Sequence, residues 1–275
     1  MRNLNSGILE KFDCIRDDLK FLTNSEIRLD IVSSINNAPK QRSVIQEITN
    51  LSYSSISFNI KKLEKKGFVK CNYQGYVVNN ITYLFYKQLI DFNRSLSIAN
   101  RINSFLQGNL VDGIDEESLK ELNVLHKCKL LESSITDIYK AQEDLINKIE
   151  KSYSLNGVIA FIHPDFPAIF QDILLKGGNL NLLIFNDIYR EFLHSFNRDT
   201  LKKYIKNGNL KVNYLDMENK IFLIFSNDYL YLGLFKEDNT FDQNRLLYCE
   251  GIEGVSWGKR LFNRMYDNSI QIKGV

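Results

Sequence analysis

Leu51-Ser52-Tyr53-Ser54-Ser55-Ile56-Ser57-Phe58-Asn59-Ile60-Lys61-Lys62-Leu63-Glu64-Lys65-Lys66-Gly67-Phe68-Val69 is the stretch on which the reading of this chain turns. Ser52 is placed to cap a helix. At about 100° per residue, Ile56, Ile60 and Leu63 fall on one side of it. The opposite side carries Ser54, Phe58, Lys61 and Lys65, flanked by Ser55, Ser57 and Lys62. Small hydroxyl groups near the N-terminal end and ammonium groups further along suit base edges and phosphates of a major groove. Gly67 ends the helix.

Upstream, Thr23-Asn24-Ser25-Glu26 has the pattern of a capping box, and Ile27, Ile31 and Ile35 follow at helical spacing. Ala38-Pro39 stops that helix. A second short helix is expected from Ser43, with Gln46 as its capping partner and Ile45 and Ile48 facing inward. Asn50-Leu51-Ser52 makes a tight turn. Downstream, Phe68 to Val78 reads as two short β-prone runs around the glycine of Asn72-Tyr73-Gln74-Gly75, a hairpin. Helix, helix, turn, helix, hairpin is the order of a winged helix-turn-helix, and the stretch quoted above resembles that family's Ser-rich recognition helix running into Leu-Glu-x-x-Gly-Leu/Phe-Val.

The expected DNA contacts are Arg42, Ser52, Tyr53, Ser54, Ser55, Ser57, Phe58, Asn59, Lys61, Lys62, Lys65, Lys70, Tyr73 and Gln74. Phe58 stands where relatives often carry Arg or His. It either meets thymine methyl groups or packs against the wing. The wing tip lacks arginine, which argues against strong insertion into a narrow minor groove. The alternative to DNA is a winged helix that binds another protein.

Charge supports the DNA reading locally. The 275 residues carry a net charge of only +2. From Asn24 to Ile90, however, nine Lys/Arg face four Asp/Glu, a net of +5, and the remainder carries −3. A polyanion would therefore meet the first part of the chain. With 44% hydrophobic and 25% charged residues the composition is that of a globular protein with room for two cores. No apolar run is long enough to cross a bilayer. The first 22 residues contain Arg2, Glu10, Lys11 and Asp13 rather than a signal-peptide apolar region. The chain reads as cytoplasmic. Cys14, Cys71, Cys128 and Cys249 lie far apart, which argues against a zinc knuckle and gives a disulfide scaffold no support.

The expected class is α+β in three segments: a winged helix-turn-helix DNA-binding domain (1–80), a helical connector (81–152) and a C-terminal mixed α/β sheet domain (153–275). In the connector, Leu84, Phe85, Leu89, Phe92, Leu96, Ile98, Ile102 and Phe105 recur at helical spacing. They form either a homodimer seam or core packing within one chain. Ile8, Phe12, Ile15, Leu19 and Leu22 make a similar stripe. Asp115 caps a further helix. After Gly157, apolar runs alternate with amphipathic helices, as in a mixed sheet covered on both faces. The expected elements are strands at 157–162, 179–185 and 210–215, helices at 165–176 and 189–207, and a hairpin at 220–235.

The tail holds Phe241-Asp242 and Trp257-Gly258-Lys259-Arg260-Leu261-Phe262. With Gly178-Asn179-Leu180-Asn181-Leu182-Leu183-Ile184, this layout resembles the archaeal winged-helix regulators whose effector domain is named for a methanogenesis and filamentation regulator. It departs from them at Tyr76-Val77-Val78-Asn79, where relatives tend to have Tyr-x-Leu-Thr and a glycine. The resemblance implies a DNA-binding transcriptional regulator with an effector or oligomerisation domain. Double-stranded DNA is the partner it implies, and the connector stripe points to a second copy of the chain as another.

No nucleotide-binding loop, metalloprotease motif or nucleophile elbow occurs, so the chain is read as a non-enzyme without metal or cofactor. A small-molecule effector is expected at the carboxyl ends of the strands, where His163, Asp165, Asn186 and Asp187 lie next to helix N-termini. Simple helix capping by Asp165 and Asp187 is the plainer reading, and Asp242 and Trp257 are read as a turn and a core anchor.

Overall fold

The computed structural model describes residues 16–218 and 220–271, with the backbone alone at 198 and 200. It divides into two compact units, Met1–Asp91 and Phe92–Val275. The stretch 81–152, expected as a separate connector, falls in both. Ile8, Phe12, Ile15 and Cys14 lie outside the described residues.

In the first unit, helical residues 16–23 (α1) lead to α2 (Glu26–Ile35), α3 (Arg42–Thr49) and α4 (Tyr53–Lys65), followed by the hairpin β1 (Val69–Asn72) and β2 (Gly75–Val78). This is a winged helix-turn-helix. Its core is made by Leu22, Ile31, Val32, Ile35, Ile45, Ile56, Ile60, Leu63, Phe68 and Val78, of which Leu22, Ile31, Ile35, Ile45, Ile56, Ile60 and Leu63 belong to the stripes read from the helical period. Three local expectations are corrected. Ser25, not Thr23, caps α2 by accepting from the Arg28 amide, because Thr23 finishes α1 and its hydroxyl donates to the Leu19 carbonyl. The cap of α3 is Gln41, without a side-chain bond. Ile48 is exposed, since an eight-residue helix buries only the narrow stripe centred on Ile45.

The wing gains a third edge. Lys40 and Tyr76 exchange backbone hydrogen bonds at 3.0 and 2.9 Å. A Cβ at Gly75 would sit 2.4 Å from the Lys40 carbonyl carbon, and its φ is +131°, so only glycine fits this approach.

A long helix, α5 (Asn80–Arg101), follows. The second unit continues with α6 (Asn103–Leu106), β3 (Asn109–Leu110), α7 (Glu116–Lys120), a 3-10 turn (Leu122–Leu125), β4 (Lys129–Glu132) and α8 (Lys140–Ile149). Next come β5 (Ser154–Ile159), α9 (Phe166–Leu175), β6 (Asn179–Phe185), α10 (Asn186–His194), α11 (Arg198–Lys206) and β7 (Leu210–Leu215). The unit closes with β8 (Ile221–Phe225), β9 (Tyr229–Lys236), β10 (Arg245–Glu250), α12 (Ile252–Asp267) and β11 (Ile270–Gln271).

The sheet runs β11-β7-β6-β5-β8-β9-β10-β4, with β3 on the end of β9. Only β5–β6 and β6–β7 are parallel, as strand–helix–strand units require. One face packs under α12 together with Ile98, Ile102, Phe105 and Leu125, and the other under α8, α9, α10 and α11. The chain region 102–132 therefore supplies strands and core side chains to this sheet. Residues 186–206 form two helices, not one. Phe241-Asp242 precede the strand β10, which the sequence reading did not anticipate. Asp242 is a buried junction, accepting from Asn109 at 2.8 Å and Arg245 at 2.7 Å. Cys128 and Cys249, the pair next in register after Lys129–Tyr248, are joined as a disulfide, a bond for which the cysteine spacing alone offers no support.

Candidate nucleic-acid interface

Helix α4 buries Ile56, Asn59, Ile60 and Leu63 and exposes Tyr53, Ser54, Phe58, Lys61, Lys62 and Lys65. Its N-terminus is a knot of hydroxyls. Ser52 Oγ accepts from the Ser55 amide at 3.2 Å and donates to Ser55 Oγ at 2.9 Å, with Ser54 Oγ 3.1 Å away. Ser52, Tyr53 and Ser54 are exposed, as are Phe58, Lys61, Lys62 and Lys65 further along. Phe58 is 59% exposed, so it does not pack under the wing. Its neighbour is the Lys62 ammonium, 4.1 Å from the ring centroid, one helical turn on.

Three residues of the expected contact set depart from this face. Asn59 is buried beside Ile56 and Ile60, and its Nδ2 donates to the Ser55 carbonyl at 2.9 Å. Its angular position places it at the margin of the apolar stripe. Ser57 is half-buried with an enclosed hydroxyl that has no protein partner. Ser55 is half-buried and engaged with Ser52.

Arg42 opens α3. Its guanidinium bonds the Tyr76 hydroxyl and lies over that ring, 5.1 Å from the centroid. The Tyr53 hydroxyl, with lesser help from Tyr76, holds the Arg42 proton more tightly than usual against the opposing effect of burial. The first residues of α3 and α4 and strand β2 thus meet at one cation. On the wing, Asn72 Oδ1 accepts from the Gln74 and Gly75 amides at 2.9 and 3.1 Å, fixing the tip. Tyr73 and Gln74 project from it, and Lys70 is exposed on β1.

In the second unit the four expected effector residues separate into two depressions. Asn186 and Asp187 line one of about 630 Å³ with Asp216, Glu218, Lys220 and Glu237. His163 and Asp165 line another of about 390 Å³ with Tyr139, Gln142, Glu143 and Asn147. Neither aspartate caps its helix through its side chain: Asp187 pairs with Lys220, and Asp165 stands 3.6 Å from His163 Nδ1. Burial lowers the His163 pKa below its usual value, the Asp165 carboxylate partly opposing this. The residues contributed by the loop after β7 carried no motif and were not singled out from the sequence. Among the described residues, no group of three or more His, Cys, Asp or Glu is placed to hold a metal ion. No helix among them is long and apolar enough to cross a membrane.

Residues 138–268 match the middle domain of methanogenesis regulatory protein FilR1, and residues 16–97 match its N-terminal domain. The methanogenesis regulatory protein FilR1 of Methanothrix harundinacea (strain 6Ac) is 20% identical over 247 residues, which cover 89% of this chain and 55% of that protein. The chain thus spans about half the length of this relative. Among solved structures, TrmBL2, described as an archaeal chromatin protein with a novel mode of DNA binding, is 12% identical with a TM-score of 0.41, covering 90% of this chain and 93% of its own. CalO1, a methyltransferase of calicheamicin biosynthesis, is 10% identical with a TM-score of 0.22 and coverages of 78% and 67%. Neither likeness is close enough to transfer a property.

Proposed function

Because the chain belongs to the FilR1 family of regulatory proteins and carries both its N-terminal and its middle domain, we propose that it is a sequence-specific, duplex-DNA-binding transcriptional regulator and not an enzyme. It acts in the cytoplasm as a homodimer, and its C-terminal unit modulates the affinity of its winged helix.

The observation that carries this reading is the two-sidedness of α4. Its isoleucine and leucine stripe is sealed in the core, while Ser54, Phe58, Lys61, Lys62 and Lys65 face outward. Laid in a major groove, such a helix brings hydroxyls to base edges from its N-terminal end and lysines to the flanking phosphates. Arg42, steadied by Tyr76, adds a cation beside the first turn of α4, and Lys70, Tyr73 and Gln74 supply the wing's contribution. Dimerisation is assigned to α5, where Ile81, Leu84, Phe92 and Leu96 are exposed at helical spacing. Two heads then read the two halves of a symmetric site. A small effector is assigned to the depressions at the carboxyl ends of the strands, one beside Asn186 and Asp187 and the other beside His163 and Asp165.

The test is the affinity of the full chain for duplex DNA as a function of salt. A regulator of this kind loses affinity steeply and log-linearly as salt rises. A winged helix that serves only to bind protein has no salt-dependent duplex affinity, and that result would overturn the proposal.

A further inference from the structure

Within the outward face of α4, Phe58 is the side chain without a hydrogen-bonding group. Ser54 lies one turn before it, and Lys61, Lys62 and Lys65 one to two turns after. The ring belongs to no part of the first unit's core, and more than half of its surface is open. The Lys62 ammonium, 4.1 Å from its centroid, pins the ring by cation–π attraction in the middle of the helix. A recognition helix lies deepest in the groove along such a face. Among the base-edge groups displayed in a major groove, the C5-methyl group of thymine is the apolar one, matched by apolar contact and not by a hydrogen bond.

From this geometry we infer that Phe58 is a specificity-determining residue that reads thymine methyl groups in duplex DNA. The inference rests on the duplex-binding reading given above. Ser54 and the lysines set where the helix sits, and Phe58 selects steps in which a methyl group projects toward it. Burying one methyl group against the ring is worth about fourfold in affinity per contacted thymine.

The experiment uses the full chain and a random-sequence duplex pool enriched by binding, then amplified with either thymidine or deoxyuridine nucleotides. Uracil pairs as thymine does and lacks only the methyl group. The wild-type chain is expected to bind the thymine pool about fourfold more tightly, or better, than the uracil pool, with the same salt slope for both. Phe58→Ala should lower affinity for the thymine pool to the uracil level and abolish the difference, and Phe58→Leu should retain part of it. Because Phe58 is exposed, both variants keep the helical circular dichroism of the parent. Equal wild-type affinity for the two pools, with salt-dependent binding intact, would overturn the methyl-reading role and leave DNA binding standing. Preferential binding of single strands irrespective of uracil would overturn it in favour of base stacking on the ring. Loss of salt-dependent binding to either pool would overturn both readings together.

Discussion

The indole Nε1 of Trp257 donates to the backbone carbonyl of Ser118 at 3.0 Å, across 139 residues of sequence, and both residues are wholly buried. This bond ties α12 to α7. Ser118 is held from its other side as well, since its amide and hydroxyl donate to Asp115 at 2.9 and 2.8 Å, and Arg264 of α12 reaches Asp115 at 3.0 Å. The Trp-Gly motif thus closes the second unit by joining α12 to α7, the short helix between β3 and β4.

Replacing Trp257 with Phe removes the indole donor and leaves the buried Ser118 carbonyl with the Glu121 amide, at 3.2 Å, as its remaining donor. The expected loss from the bond is about 0.5–1.5 kcal/mol, read as a lower urea midpoint by far-ultraviolet circular dichroism with an unchanged slope. An unaltered midpoint would show that the bond adds nothing to the packing of the ring.

Gly258 lets α12 approach β9, for a Cβ there would lie 1.9 Å from Leu230 Cδ1. Gly258→Ala should cost about 1–3 kcal/mol through overpacking, although alanine is the better helix former. A double variant that also shortens Leu230 to Ala should recover part of the overpacking cost relative to Leu230→Ala alone, as expected for residues in contact.

The buried Cys128–Cys249 pair makes a chemical prediction. Thiol titration of the denatured, unreduced chain should find two fewer reactive groups than the four cysteines of the sequence, and reduction should restore them. Because the link closes a long loop, reduction or Cys249→Ser should lower stability by about 2–4 kcal/mol. Titration of all four thiols without reductant would refute the bond.

Asp115 carries a pH dependence. Burial works against its charge, but the Ser118 amide and hydroxyl and the Arg264 guanidinium outweigh it, so its pKa lies below the usual carboxylate value. Its stabilisation is therefore complete above the unfolded-state pKa, near 3.9, and is lost as pH falls through the lower folded value. Asp115→Asn should flatten the acid limb of a stability–pH curve. An acid limb identical to the parent's would remove Asp115 from the account.

For the interface, Lys61→Ala with Lys65→Ala, which leaves the Lys62–Phe58 contact intact, should weaken binding to all duplex sequences alike and reduce the salt slope by about 0.9 for each phosphate left without its cation. Ser54→Ala should instead change sequence preference at a nearly constant slope. Gel shifts at several salt concentrations distinguish the two outcomes.

Local rules carried much of this structure. The period of Ile56, Ile60 and Leu63 located α4, and the glycine-centred hairpin located the wing, because both elements are set by neighbours close in sequence. Ser57 and Asn59 were misplaced for a related reason: they sit at the margin of the apolar stripe, where a helical wheel cannot say how wide the core beneath it is. Long-range partners were invisible. Nothing adjacent to Cys128 or Cys249 announces that β4 and β10 run side by side. Likewise, Lys129–Glu132 is too short and mixed to read as a strand until β10 is there to pair with it. His163, Asp165, Asn186 and Asp187 were legible as strand-end residues, but their division between two depressions was not, because the remaining linings come largely from α8 and from the segment after β7, remote in sequence.

On the β4 flank, the great sheet ends in a four-residue strand bearing Lys129 and Glu132. Such a border is a poor template for recruiting foreign strands: it is brief and charged, and it stands between solvent and the greasy interior strands β8 to β10. Self-association by extending the ladder is thus discouraged on this side. Copies of the chain are steered toward contacts made by side chains, and a protein rich in β-prone isoleucine, tyrosine and phenylalanine is guarded there against fibrous assembly.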